Sequence, residues 1–474
     1  MKIGFPKLQH LGSRLWTVFQ FVSAQGITMA ANLLYGLLCV RLLPSGEYAK
    51  FVLVFGVQGT LLILMDANFS GTLIPLIGER VDNKKLIADY VASLRQLSVW
   101  AYALVGSLAI IFYPLLVKNR HWSWQTIAGM IVILLLSTWF MRVAAAYGSV
   151  VILLRDRATF YKGQLISSVG TLALLLACYE LGWLGPFQAM IINVIGMMVV
   201  AAMAYQRCNT LLGVKGVVAP EKKKAIIQLA LPNMPQAVFF ALQGQISLFL
   251  ITYFGHTKGL ASVGALGRVG QIFAIFLQAN GLLVEPYFAK LPKEKLKRSY
   301  LLATLMAAVI SISVMLVALK VPQLLLWVLG PQYSDLAFEV KLAVAASAVS
   351  CFSGVLWGIH SARRFVFWWN VISNIALTLA VQVVFFIKVD VGTVRGVLWL
   401  NLATNVASLL INVLSGVYGF IKGPREVEVT TPPDQPQIAF EAETAVAIYE
   451  LEHADAPFHA MPVLDRANDV NQQD

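Results

Sequence analysis

Four charged side chains interrupt apolar sequence in places where a charge needs a reason. Asp66 lies in FVLVFGVQGTLLILMDANFSGTLIPLI, residues 51–77, and Arg142 lies in LLLSTWFMRVAAAYG. Arg95 and Arg268 each sit about two turns into other apolar runs. An ionised group in hydrocarbon costs several kcal/mol unless protein or water faces it. Arg142 is about 13 residues from Arg155, hence about 20 Å deep at 1.5 Å of rise per residue, too deep to snorkel. Two arrangements suit these charges. The arginines could line a wet cavity and meet an anion, since guanidinium groups bind phosphate bidentately. Alternatively Asp66 pairs with Arg142 or Arg95 and simply holds helices together. Asp66 unpaired would suit coupling to a proton or a cation.

Neutral amides add to the pattern. Gln20, Gln25, Gln58, Gln236, Gln243, Gln245, Gln271, Gln278 and Asn280 fall in the first two apolar runs of each half of the chain. Buried without partners they are costly, so they call for water, hydroxyl groups or one another. Bond-making chemistry has no comparable support. The chain holds no Gly-rich phosphate loop ending in Lys-Ser/Thr and no Gly-x-Ser-x-Gly turn. Its six histidines sit in loops, at run ends or near the C-terminus, and its four cysteines are scattered. Neither set has metal-ligand spacing. These features predict a non-enzyme with no cofactor and no metal.

The elements that position these groups follow from composition. The chain is 58% hydrophobic and 13% charged, about half the charged fraction of a soluble domain, which predicts an integral membrane protein. Twelve apolar runs recur near 15–42, 51–77, 87–116, 125–154, 162–183, 186–206, 226–254, 260–285, 299–329, 336–358, 365–387 and 396–421. Each is long enough to span about 30 Å of hydrocarbon. The first continues too far to be a cleaved signal peptide. With the N-terminus inside, inner loops collect 23 lysines and arginines and outer loops 8. That asymmetry predicts both termini in the cytoplasm.

A loop from Gln206 to Lys224 divides the runs into sets of six, giving lobes at 1–212 and 213–422. An offset of 218 residues places Gln25 on Gln243, Gly46 on Gly264 and Lys50 on Arg268, as a parallel repeat would. Residues 423–474 carry 11 acids against 2 bases and read as a disordered cytoplasmic tail, with 439–451 able to form an amphipathic helix. The net charge of +12 is scattered between apolar walls, so no nucleic-acid surface is expected.

RLLPSGEYAKF and LMDANFSGTLIPLIGERVDNKKL resemble the opening of bacterial polysaccharide and O-antigen flippases of the multidrug/oligosaccharidyl-lipid/polysaccharide exporter (MOP) superfamily. LPNMPQAVFFALQGQISLFLITYFG and VGALGRVGQIF in the second half support the resemblance, which spans roughly 10–420. It implies an all-α protein of about 12 transmembrane helices, in two six-helix lobes forming a V around a central cavity. It further implies movement of undecaprenyl-diphosphate-linked oligosaccharide across the cytoplasmic (inner) membrane for O-antigen, capsule or exopolysaccharide synthesis, often ion-coupled. Cationic cavity residues of the family map by position to Arg142 and Arg268. Ala49 and Lys50 depart mildly from the family pattern. A polysaccharide polymerase and export machinery become expected partners, beside membrane lipid. Substrate-binding candidates are therefore Arg142, Arg268, Arg95, Gln25, Gln243 and Gln245, with Asp66 for ion coupling. Alternatives within the superfamily are a lipid II flippase and a multidrug cation antiporter, which would favour acids in its cavity. A membrane-bound glycan polymerase or acyltransferase would need larger outer loops than this chain has.

Overall fold

The computed structural model describes residues 25–66, 69–77, 80–154, 156–231, 234–363, 365 and 367–423, a few side chains excepted. The acidic C-terminal segment, with the 439–451 helix expected there, and the start of the first span lie outside these residues. Helices account for nearly all of what is described. Ten are long and apolar enough to cross a membrane, and one bent pair would make an eleventh. The chain is an all-α, multi-pass membrane protein.

In the first half, α1 covers 25–42, and Leu43-Pro44 turns the chain into α2, Ser45–Asp66. The Pro44 carbonyl accepts from the Tyr48 amide at 2.8 Å, so proline sits where its missing N–H costs nothing. A helix was expected from Phe51 to Ile77. The polar residues Ser45, Glu47 and Lys50 instead belong to its first turns, Lys50 gripping Glu47 at 2.8 Å, and the helix stops at Asp66. Short helix α3, Leu73–Ile77, follows. Then come α4 Lys84–Val117, α5 Trp124–Leu153, α6 Arg157–Glu180 and α7 Pro186–Leu212.

Asn83, Ser123 and Asp156 cap α4, α5 and α6 by accepting amide hydrogens of the first turn. Burial would raise the Asp156 carboxyl, but hydrogen bonds from Arg207 and Thr159 outweigh it and hold the group below its ordinary range. Gly213, at φ 64°, ends α7 in the left-handed conformation that suits glycine.

A linker and amphipathic helix α8, Pro220–Ala230, lead into the second half. Its first span is broken. Helices α9, Met234–Gln243, and α10, Ile246–Phe254, meet at 46° around Gly244. The second span likewise runs as α11 Thr257–Gly270 and α12 Ile272–Ala279, then a π turn over Asn280–Val284 and α13 Glu285–Lys290. The remainder is α14 Lys293–Lys320, α15 Pro322–Leu329, α16 Ala337–Ala362, α17 Trp368–Lys388 and α18 Val394–Lys422.

The halves repeat one packing scheme. Helix α5 packs on α7, α4 and α2, as α16 packs on α18, α14 and α11, and α6 packs on α7 as α17 on α18. The repeat offset, however, is 212 rather than 218. The turn from α1 to α2 follows residue 42 and that from α10 to α11 follows residue 254. Arg268 therefore corresponds to Gly56, not Lys50; the few identities behind the longer offset carried no register information.

Three apolar cores give the lobes their disposition. The largest joins both lobes, with Tyr35, Phe51 and Met130 beside Leu248, Leu266 and Tyr333. A second is built in the N-terminal lobe and covered by α8, around Leu73, Ile87, Val150 and Ile226. The third, around Phe288, Ile359 and Phe365, belongs to the C-terminal lobe. One shared core and two separate ones describe a V, joined at the end bearing Arg41 and Arg120 and parted at the end bearing Lys84 and Arg363.

Hydrogen bonds between the lobes among the described residues agree. Asn119 donates to the Tyr253 carbonyl at 3.0 Å, Arg120 to that of Ile251, and Gln332 to those of Val40 and Leu43 at 2.7 and 3.2 Å. The Arg41 guanidinium lies 5.2 Å from the centre of the Trp327 ring. Cysteines replacing Arg41 and Trp327, in a background without native cysteines, should be joined by a short bifunctional thiol reagent in native membranes. With a protease site in the 213–219 linker, the cut halves should stay together on a denaturing gel; separation would mean that the lobes do not meet there.

Candidate functional site

In the N-terminal lobe two arginines stand at one level of neighbouring helices. Arg95 is 11 residues from the start of α4, and Arg142 is 11 residues from the end of α5. Because these helices run in opposite directions, both guanidiniums lie about 16 Å from the same end. They are close enough for each charge to act on the other. Among the described residues no acid pairs with Arg95, Arg142 or Arg268.

Aromatic rings take the place of a counter-ion. Arg142 is buried, with its Cζ 4.2 Å from the Trp139 ring centre and 6.0 Å from that of Tyr102. Tyr102 packs edge-on against Trp139 and donates to the Leu135 carbonyl at 3.0 Å, which fixes the pair. The Nε of Arg142 has no partner. Arg95, by contrast, is exposed. Because α4 is longer than the hydrocarbon requires, an exposed guanidinium here can reach water directly or by snorkelling. The two arginines thus form a graded site, one held behind aromatic rings and one open.

Arg268 sits elsewhere. It reaches from α11 across to α1 and α2, with its Cζ 5.9 Å from the Phe51 ring and its guanidinium against Gly36. Any side chain at position 36 would displace it. Its own-helix partner is Gln271, at 3.3 Å. This arginine ties the lobes together within the shared core and does not join Arg95 and Arg142.

Asp66 also stands apart from the arginines. Its carboxylate accepts from the Ser70 amide at 3.2 Å and the Ser70 hydroxyl at 2.8 Å, at the very end of α2. The glutamines divide. Gln243 accepts a hydrogen bond from Gln382 inside the C-terminal lobe. Gln245 flanks the α9–α10 break with its carbonyl oxygen against Gly56 of the opposite lobe. Gln25 is half-buried on α1. Gln58 turns its amide onto the sulfurs of Met141 and Met197, at 2.7 and 3.3 Å.

Between the lobes, α2 and α4 face α9 and α10 across a cavity of about 680 Å³. Its walls are almost wholly apolar, with Leu61, Leu108, Phe112, Leu242 and Phe249 among them. Nothing in the sequence pointed to it, because outward-facing apolar residues on a membrane helix look alike whether they meet lipid or another helix.

Sequence reasoning also passed over two polar groups of the C-terminal lobe. His360, expected at a span end, is fully buried in the last turn of α16 and shares a 3.0 Å hydrogen bond with Tyr300. Glu285 accepts from Asn280 at 3.0 Å across the π turn.

Comparison with solved structures settles the fold. A lipid II flippase, MurJ, in an inward closed conformation superposes with a TM-score of 0.64 at 14% identity, over 93% of each chain. A multidrug resistance MATE family transporter of the MOP superfamily, in an inward-facing conformation, gives 0.59 at 14% identity, over 83% of this chain and 94% of its own. A MATE protein in a bent conformation gives 0.54 at 16% identity, over 88% and 97%. This chain shares the fold of these solved transporters. No protein-family profile matches it, and no curated protein matches it in sequence. Within that fold Arg95 and Arg142 both belong to the N-terminal lobe, on α4 and α5.

The ring of Trp139 should contribute measurably to holding Arg142. A desolvated cation–π contact contributes about 2 kcal/mol. A double-mutant cycle of Trp139→Leu and Arg142→Leu, read from thermal unfolding in detergent, should give a coupling of about 1–2 kcal/mol. Strict additivity would mean that the contact contributes nothing.

Proposed function

We propose that the protein is a flippase for an anionic lipid-linked oligosaccharide, moving undecaprenyl-diphosphate-linked repeat units across the cytoplasmic membrane for surface polysaccharide synthesis. The observation that carries this reading is the pair of arginines at one level of α4 and α5, one buried and one exposed, that no acid among the described residues pairs with. Such a pair suits a diphosphate, which offers several oxygens to two guanidiniums. A cation exporter would need the reverse, acids exposed at that depth, and Asp66 is instead engaged with Ser70 at a helix end.

The apolar cavity between α2, α4, α9 and α10 suits the polyprenyl chain, which can stay in lipid while the head group crosses. No bond is made or broken in this reaction, so charge, water and shape suffice. The bias of lysine and arginine towards the Lys84 end places that end in the cytoplasm, so the V opens to the side where lipid-linked sugars are assembled. Lipid II flipping is the second reading, favoured by the likeness to MurJ.

Deleting the gene should accumulate lipid-linked oligosaccharide on the cytoplasmic leaflet and remove surface polysaccharide. Analysis of that intermediate identifies the cargo, and an accumulated peptidoglycan precursor would instead establish the second reading. Arg95→Ala and Arg142→Ala should each lower export about 10- to 100-fold, the equivalent of about 1.5–3 kcal/mol for a hydrogen bond to a charged group. Protein abundance in the membrane should be unchanged. If abundance falls in step with export, the arginines are architectural.

Asp66 is proposed as the ion-coupling residue. Asp66→Asn should weaken export and change its response to collapse of the proton or sodium gradient. An unchanged response would leave Asp66 as a helix terminator only.

A further inference from the structure

We propose that the C-terminal lobe contains a second binding site, a neutral pocket that takes one sugar ring of the oligosaccharide. This rests on the flippase reading for the source of the sugar, whereas the pocket itself rests on its own chemistry. It lies among α16, α17 and α18, with Phe240 of α9 at one side, and has a volume of about 280 Å³. Asn370 and Asn374 stand one turn apart on α17, and Asn405, Ser408 and Asn412 form one stripe of α18. Ser350, Ser353 and Trp357 come from α16. None of the lining residues carries a charge.

The hydrogen bonds already made leave a definite remainder. Asn374 donates to the Ser408 hydroxyl at 3.2 Å, Asn405 to the Ala346 carbonyl at 3.0 Å and Asn412 to the Ser353 hydroxyl at 2.8 Å. The Asn412 carbonyl oxygen is buried without a partner. Asn370 is fully buried, and neither its Nδ2 nor its Oδ1 has a partner. Leaving such groups unpaired costs about 1–3 kcal/mol each.

What fills the pocket must therefore both donate and accept. A metal cation would satisfy the amide oxygens but leave the Asn370 NH₂ stranded, and no carboxylate lines the pocket to balance its charge inside the membrane. An anion would satisfy only the NH₂. A hydroxyl group serves both atoms, and so does an acetamido group. The indole of Trp357 and the ring of Phe240 offer apolar surface to the C–H face of a pyranose. The volume equals that of about nine waters at about 30 Å³ each, more than a few bridging waters require. The division of labour is then charge in one lobe for the diphosphate and neutral polar groups in the other for the sugar.

The test uses the full chain purified into nanodiscs, probed separately with glucose, galactose, N-acetylglucosamine and sodium chloride. Saturation-transfer NMR should detect saturable millimolar binding of at least one of the sugars. That binding should weaken at least tenfold in Asn370→Leu and in Trp357→Ala, and persist in Trp183→Ala, which is exposed on the N-terminal lobe. Should Asn370→Leu fail to fold, Ser408→Ala is expected to weaken binding about threefold or more. Absence of binding by all three sugars, or binding indifferent to these variants, overturns the proposal and leaves a water-filled pocket. A sodium-dependent thermal shift abolished by Asn370→Leu, with no sugar binding, overturns it in favour of a cation site. Sugar binding by a chain that exports no glycan in cells would keep the pocket and remove the flippase reading.

Discussion

Everything in this protein turns on how closely α2 of one lobe approaches α10 and α11 of the other. Two helices pack this tightly only where side chains are missing. Gly264 of α11 faces Val52 of α2, Gly56 of α2 faces Leu248 of α10, and Gly36 of α1 receives the Arg268 side chain. At Gly264 and Gly56 an added Cβ would collide with the opposite lobe, and at Gly36 it would crowd the arginine side chain. The three glycines come from both halves, so the crossing is built reciprocally. They let one apolar core extend through both lobes at the Arg41 end, and from that joint the remaining helices diverge into cores of their own.

Divergence makes the arginines affordable. A guanidinium in a closed bundle needs an acid, and breaking such a buried pair is expensive. Arg95 is exposed, and Arg142 has Trp139 and Tyr102. Arg268, half-buried and without an acid among the described residues, is held by Phe51 and Gln271 at the joint. Three arginines of similar sequence context thus end in three environments. Only the fold distinguishes them.

That distinction marks the limit of what the chain itself discloses. The all-α membrane class and the succession of apolar runs follow from composition and helical rise, and the structure agrees with the class. The start of α2 was misplaced because Ser45, Glu47 and Lys50 look like a loop, although their charges neutralise each other within one helical turn. The repeat register was misplaced by six residues because a few shared glycines and glutamines weigh less than the positions of the turns. The asparagines of α17 and α18 stand at legible spacings in NVISN and NVASLLIN. What no spacing reveals is that these stripes meet directly, Asn374 donating to Ser408, beside α16. The glutamines singled out instead divide, and Gln20 lies outside the described residues. Gln58, Gln243 and Gln245 each settle with a different neighbour.

The seal at the joined end bears on how such a molecule could open the other way. Its hydrogen bonds run from Asn119, Arg120 and Gln332 to backbone carbonyls near helix ends. Each contributes a net of about 0.5–1.5 kcal/mol, more where arginine donates, because water can replace the partner when the contact opens. The glycine crossings sit deeper and exchange no hydrogen bonds, so they can serve as a pivot while the seal is exchanged for solvent. A rocking motion about α2 and α11 would then break contacts whose groups find water on one side and close the wet face around Arg95 on the other. The breaks at Gly244 and Gln271 divide the first two helices of the second lobe at just this level. Bending there changes the direction of a half-helix without unpacking the joint, so the lobe that swings also carries the hinges.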